Sequence, residues 1–137
     1  MATTILVDTN VLVDVLQDDP VWSDWSMAQM RSLSVVHRLA VNPIIYAELA
    51  LSYKSLDTLD EAIETSELVF EEVPRGALFL ASKAHLQYRR RGGRRQQVLP
   101  EFFIGAHAAV NGWPLLSRDA ARFRTYFPAL RVIAPQS

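Results

Sequence analysis

The 137-residue chain contains no cysteine. That excludes a disulfide framework, a thiolate metal site and a cysteine nucleophile, and it fits a reducing compartment. A surplus of positive charge is also missing: the formal net charge is −1, which argues against a surface built to coat a polyanion. No run approaches the roughly 18 uninterrupted apolar residues of a membrane span, and "MATTILVDTN" lacks a basic segment followed by a long apolar one. Neither a span nor a signal peptide is expected, and the expected location is the cytoplasm. The glycine-rich dinucleotide and phosphate-loop patterns are absent, and so is G-x-S-x-G. An aspartate-nucleophile phosphatase would want a second acid two residues after Asp8, where Asn10 stands. His37, His85 and His107 share no metal-ligand spacing, and His107 in "GAHAAV" reads as a core residue.

What remains is a chain that is 50% hydrophobic and the length of one ordinary domain, expected to span residues 1–137. "TILVD" reads as a buried strand running straight into a helix at "TNVLVDVL". Strand and helix then keep alternating. "VWSDWSMAQMRSLSVV" predicts a helix, "LAVN" a strand, and "PIIYAELALSY" a helix with Asn42 as its cap and Pro43 at its first position. "DTLDEAIET" predicts a helix, "LVFEEV" a strand, and "GALFLASKAHLQYRR" a helix stopped by Gly92 and Gly93. A helix opening at Pro100 and closing at Asn111 and Gly112, the strand "PLLS", the helix "DAARFRTYF" and the strand "RVIAP" complete the pattern. The class is α/β, with a mainly parallel sheet flanked by helices.

In open α/β sheets ligands gather at the carboxyl ends of the strands. Asp8 closes the first strand there, and Asp119 follows "LLS". Each also has a local reading as a helix cap. Glu48 stands alone in "IIYAELAL", a helix that reads as largely buried. A buried carboxylate needs a partner, which is either a cation or a distant arginine. Glu101 opens the helix "PEFFIGAHAAVN", where an acid is favoured by the helix dipole alone by roughly 0.3–1 kcal/mol. Taken together, the four acids have another meaning. Carboxylates brought to ~4 Å in an effective dielectric of about 20 repel by about 4 kcal/mol per pair, so a converging set persists as anions only around cations. All-oxygen donors favour Mg²⁺ or Mn²⁺, which suit phosphodiester hydrolysis by an activated water.

The blocks "ILVDTNVLVDVL", "NPIIYAEL", "LPEFFIGAHA" and "PLLSRDAARFRTYFP" resemble, in this order and nearly end to end, the PIN-domain ribonucleases, specifically the VapC-type toxins of toxin–antitoxin pairs. The resemblance implies a compact α/β/α PIN-like domain and metal-dependent RNA cleavage with Mg²⁺ or Mn²⁺. It implies a VapB-type antitoxin as partner, a homodimer or a larger toxin–antitoxin assembly, and no membrane. By motif, Asp8, Glu48, Glu101 and Asp119 become the catalytic, metal-holding acids. Asn10 and Ser117 become polar residues orienting them. Asp14, one helical turn from Asn10, either supports the site or is an ordinary helix acid. The departure is at 101, where the subfamily pattern has Asp and this chain has Glu. The added methylene would move the carboxylate by roughly 1 Å, enough to impair metal binding or cleavage. A natural variant, a weakened enzyme and an engineered change all remain open, as do a decayed binding module and a DNA-directed nuclease.

Five of the fourteen basic residues, Arg89, Arg90, Arg91, Arg94 and Arg95, crowd around Gly92 and Gly93. They read as a mobile arm over RNA phosphates or as a solvated basic loop. Trp22, Trp25, Met27 and Met30 offer an apolar face for an antitoxin helix or a second subunit, or belong to the core.

Overall fold

In the computed structural model, which describes residues 2–136, twelve elements follow one another. They are β1 (Thr4–Val7), α1 (Thr9–Leu16), α2 (Ser23–Ser34), β2 (Arg38–Val41), α3 (Pro43–Ala50), α4 (Leu56–Thr65), β3 (Val69–Phe70), α5 (Arg75–Arg90), α6 (Pro100–Asn111), β4 (Leu115–Leu116), α7 (Ala121–Tyr126) and β5 (Val132–Ile133). The strands form one sheet in the order β3-β2-β1-β4-β5. Every pairing is parallel, so the expected mainly parallel sheet is wholly parallel among the described residues.

The central strand explains its own sequence. Leu6 lies between Ala40 of β2 and Leu115 of β4, and Ile5, Leu6 and Val7 are all buried. A strand covered on both faces has no solvated side to alternate toward, hence the uninterrupted "ILV". The edge strands β3 and β5 have two residues each, neither fully buried. "LVFEEV" and "RVIAP" therefore overstate them, since only the residues that reach the neighbouring ladder become strand.

The order of the strands positions the site. From β1 the chain moves outward to β2 and β3, then returns to the other side of β1 for β4 and β5. Connections that leave two neighbouring strands in opposite directions open a crevice at their carboxyl ends, here between β1 and β4.

Two helices meet unusually closely above that crevice. A Cβ on Gly105 in α6 would lie 2.5 Å from the Phe127 ring and 3.0 Å from that of Phe123, so only glycine admits the chain segment of α7 there. α6 ends as the sequence predicts, on Gly112 in the left-handed conformation. α3 differs from expectation. Asn42 does cap it, accepting the Ile45 N–H at 2.9 Å, but Ile45 and Leu49 are its only fully buried residues. Ala47 and Ala50 face solvent, and the following Leu51 is 89% exposed. Alanine and leucine leave a helix face ambiguous, so the sequence alone overstates its burial. His107 is buried, its Nδ1 3.1 Å from Asn42 Nδ2, and burial lowers its pKa.

Candidate active site

Asp8 and Ser117 are set level with each other by the sheet. Val7 pairs with Leu116, and the Asp8 N–H donates to the Leu116 carbonyl at 2.9 Å. The Asp8 carboxylate then has a partner for each oxygen. Oδ1 accepts the Thr9 N–H and Oδ2 accepts the Ser117 hydroxyl, both at 2.8 Å. Capping and site membership thus coincide, because Asp8 caps α1 while lining the crevice. Burial raises its pKa from 3.8 to about 6; the bonds from Ser117 and Thr9 oppose the rise, and the charges of Glu48 and Glu101 add to it.

Ser117 is the hub of a small polar network. Its Oγ also accepts the Asp119 N–H at 3.1 Å and lies 3.4 Å from Asn10 Nδ2. Asn10 Oδ1 accepts the Arg118 N–H at 3.2 Å, tying the turn after β4 to the first turn of α1. Asp119 is exposed and does not cap α7, whose cap position is Ala120. Its side chain lines the crevice instead.

Glu48 reaches the same place from α3 and is half-buried. It takes no distant arginine; the Thr9 hydroxyl donates to its Oε1 at 2.7 Å. Glu101, in the first turn of α6, pairs with Arg122 of α7. The four acids therefore line one cleft of about 830 Å³, together with Thr9, Asn10, Arg118, Arg122, Thr125 and Tyr126. Ile104 and Phe123 supply its apolar wall.

Asp14 does not line the cleft. It is 1% exposed and accepts from Ser26 Oγ at 2.7 Å and from Arg118 Nε at 2.6 Å. The Arg118 guanidinium also lies 5.2 Å from the Trp22 ring. Asp14 thus acts on the cleft only through Arg118. Arg118, Arg122 and Thr9 are not marked out by the sequence. Arginines four apart after a strand are a weak signal by themselves, and Thr9 looks like an ordinary first helical residue.

The donor chemistry fits a hard divalent cation, since carboxylate and hydroxyl oxygens dominate the cleft. Among the described residues, however, no three acidic or histidine side chains stand close enough together to hold one. Arg122 occupies Glu101, and Thr9 occupies Glu48.

The five clustered arginines lie outside the cleft. Arg89 Nη1 donates to the Arg95 carbonyl at 3.1 Å, and the Arg95 N–H reaches the Tyr88 hydroxyl at 3.4 Å. Gly93 passes so near the Tyr88 ring that a Cβ would fall 2.4 Å from it. The loop is therefore folded back on α5. Arg91, 5.3 Å from the Tyr126 ring, brings it to the rim of the cleft. Trp22 and Trp25 pack edge to face at 6.2 Å and are half-buried, as are Met27 and Met30. Trp25 and Met30 touch the core.

The family model of the PIN domain matches residues 5–127. Solved structures share the fold over almost the whole chain. VapBC2 from Rickettsia felis, bound to a DNA fragment from its promoter, aligns with a TM-score of 0.74 at 17% identity, covering 97% of this chain and 99% of the other. VapBC-1 from nontypeable Haemophilus influenzae aligns at 0.69 and 18%, covering 96% and 97%. FitAcB from Neisseria gonorrhoeae aligns at 0.67 and 20%, also covering 96% and 97%. No curated protein sequence matches.

Proposed function

We propose that this chain, which belongs to the PIN domain family, is the nuclease toxin of a VapBC-type toxin–antitoxin pair and hydrolyses RNA phosphodiesters with Mg²⁺ or Mn²⁺. The observation that carries this is a single cleft, at the carboxyl edge of β1 and β4, lined by Asp8, Glu48, Glu101 and Asp119. These acids come from four separate segments of chain, the ends of β1 and β4 and the helices α3 and α6, and all line this one cleft.

The same four acids are the donors that would hold the cation, once side-chain movements release Glu101 from Arg122 and Glu48 from Thr9 and draw the carboxylates together. When bound, it supplies positive charge for the phosphodiester oxygens and acidifies a water for attack. The chain's own residues prepare the place. Thr9 N–H and the Ser117 hydroxyl fix both oxygens of Asp8, and the Thr9 hydroxyl aims Glu48 from the neighbouring helix. Asn10 locks the turn that carries Asp119 by accepting the Arg118 N–H. Asp14 clamps the Arg118 guanidinium at the cleft wall, where a cationic donor suits a phosphate oxygen. The basic loop from Arg89 to Arg95 borders the cleft at Tyr126 and would guide the RNA backbone.

The partner is a VapB-type antitoxin on a toxin homodimer or a larger assembly. Structures with this fold include toxin–antitoxin complexes, some bound to DNA. Val21, 74% exposed, and the half-buried Trp22 and Trp25 provide an apolar surface suited to an antitoxin helix. Among the described residues no helix is long and apolar enough to cross a membrane.

One observation favours a second reading, a PIN-fold binding module that does not cleave: Glu101 is already paired with Arg122. Total RNA incubated with the purified protein, with and without Mg²⁺ or Mn²⁺ and beside Asp8→Ala and Glu101→Asp versions, separates the two. Metal-dependent cutting that disappears in Asp8→Ala is the expected result. No cutting by any version would leave the binding module.

A further inference from the structure

Two arginines line the acid cleft, and they are not equivalent. Arg118 is committed to the buried Asp14. Arg122 is paired with Glu101, itself one of the four acids, and its guanidinium lies 5.3 Å from the Tyr88 ring. A carboxylate at the edge and an aromatic ring on the face seat a planar guanidinium more firmly than an ordinary surface ion pair. The backbone makes the pairing possible. Gly105, one turn after Glu101, lets the α7 segment close on α6.

We propose that Arg122 is an internal counter-cation of the cleft, competing with the divalent cation for Glu101, so that loading the cleft requires this ion pair to open. The proposal rests on the metal-dependent reading of the cleft given above. While Arg122 is seated, an incoming cation loses one of four carboxylate donors and meets a like charge. The side chains of Glu101 and Arg122 are 33% and 41% exposed, so water reaches the pair and it opens at modest cost. Arg122 is thus a positioning residue and a gate on occupancy.

The test is binding of Mn²⁺ alone, without RNA, to the full chain, read by calorimetry and by the electron paramagnetic resonance of free Mn²⁺. Arg122→Gln is expected to bind Mn²⁺ roughly tenfold more tightly than the unaltered protein. Adding Glu101→Gln to that variant should abolish most of the gain, because the freed carboxylate is its source. Arg122→Lys, which keeps the charge but not the fork or the stacking, should lie between, and it replaces the glutamine variant if circular dichroism shows that one unfolded. Folded Arg122→Gln protein binding Mn²⁺ no better than the unaltered chain overturns the proposal, as does a gain that survives in the double variant. Asp8→Asn separates the two levels. If it loses Mn²⁺ binding while Arg122→Gln changes nothing, only the gate falls. If it binds as the unaltered chain does, or if no version binds, the metal-dependent reading falls and the gate with it.

Discussion

Asp8→Asn should make the metal-free protein more stable, by an amount that depends on pH in a way the structure specifies. Asp8 is 8% exposed, and burial, with the charges of Glu48 and Glu101, raises its pKa from 3.8 to about 6. An acid whose folded pKa is raised binds its proton more tightly in the folded state than in the unfolded one. The contribution of Asp8 to stability is therefore most favourable below pH 3.8, declines as pH climbs through the interval to about 6, and is fully reduced above it. At about 1.4 kcal/mol per pH unit, the ionised carboxylate costs the fold about 3 kcal/mol at pH 7 and about 0.5 kcal/mol near pH 4. Asparagine removes that cost without stranding its neighbours. Its Oδ1 still accepts the Thr9 N–H, and its amide can donate to Ser117 Oγ, whose own proton turns to the Asp119 carbonyl, 3.2 Å away. Urea unfolding in the presence of a chelator should thus show Asp8→Asn more stable by about 3 kcal/mol at pH 7, roughly 10 °C in Tm, and nearly level with the unaltered chain at pH 4. The same variant should not cleave RNA. An equal gain at both pH values, or none at pH 7, would refute the account of Asp8 as a strained, buried anion.

Gly105→Ala should destabilise by about 1–3 kcal/mol, because its methyl would overlap the Phe127 ring; an unchanged urea midpoint would contradict the close approach of α6 and the α7 segment. Asp14→Ala should cost about 2 kcal/mol by leaving Arg118 Nε and Ser26 Oγ without their acceptor, and it should slow cleavage through the loosened Arg118, which RNA cleavage assays read against Tm. Replacing Arg94 and Arg95 together by alanine should weaken RNA binding and flatten its dependence on salt by about 0.7 for each phosphate no longer neutralised; an unchanged slope would remove the loop from the RNA path.

What the sequence reveals about this protein, and what it hides, divides along a physical line. The unbroken "ILV" of β1, the Asn42-Pro43 start of α3 and the Gly112 end of α6 are local signals, and each holds in the fold. The acids at strand ends are legible as well, because a parallel sheet assigns its carboxyl edge to ligands whatever the details of packing. The partners of those acids are not. Thr9 meets Glu48 across 39 residues, Ser117 meets Asp8 across 109, and Arg122 meets Glu101 across 21. No periodicity encodes such pairs; they depend on how closely neighbouring helices approach. That dependence explains why the charge state of the cleft is the least legible property of all. Four acids in sequence suggest a strongly anionic site, yet the folded cleft already contains Arg122 beside one of them and a second acid partly protonated near pH 6. The metal-free cleft has thus offset much of its own repulsion. If the cleft loads a divalent cation as proposed, that cation would displace the proton Asp8 still carries below about pH 6 and the arginine on Glu101, so Mn²⁺ affinity read by calorimetry should rise from pH 5 to pH 7, and an affinity independent of pH would refute this.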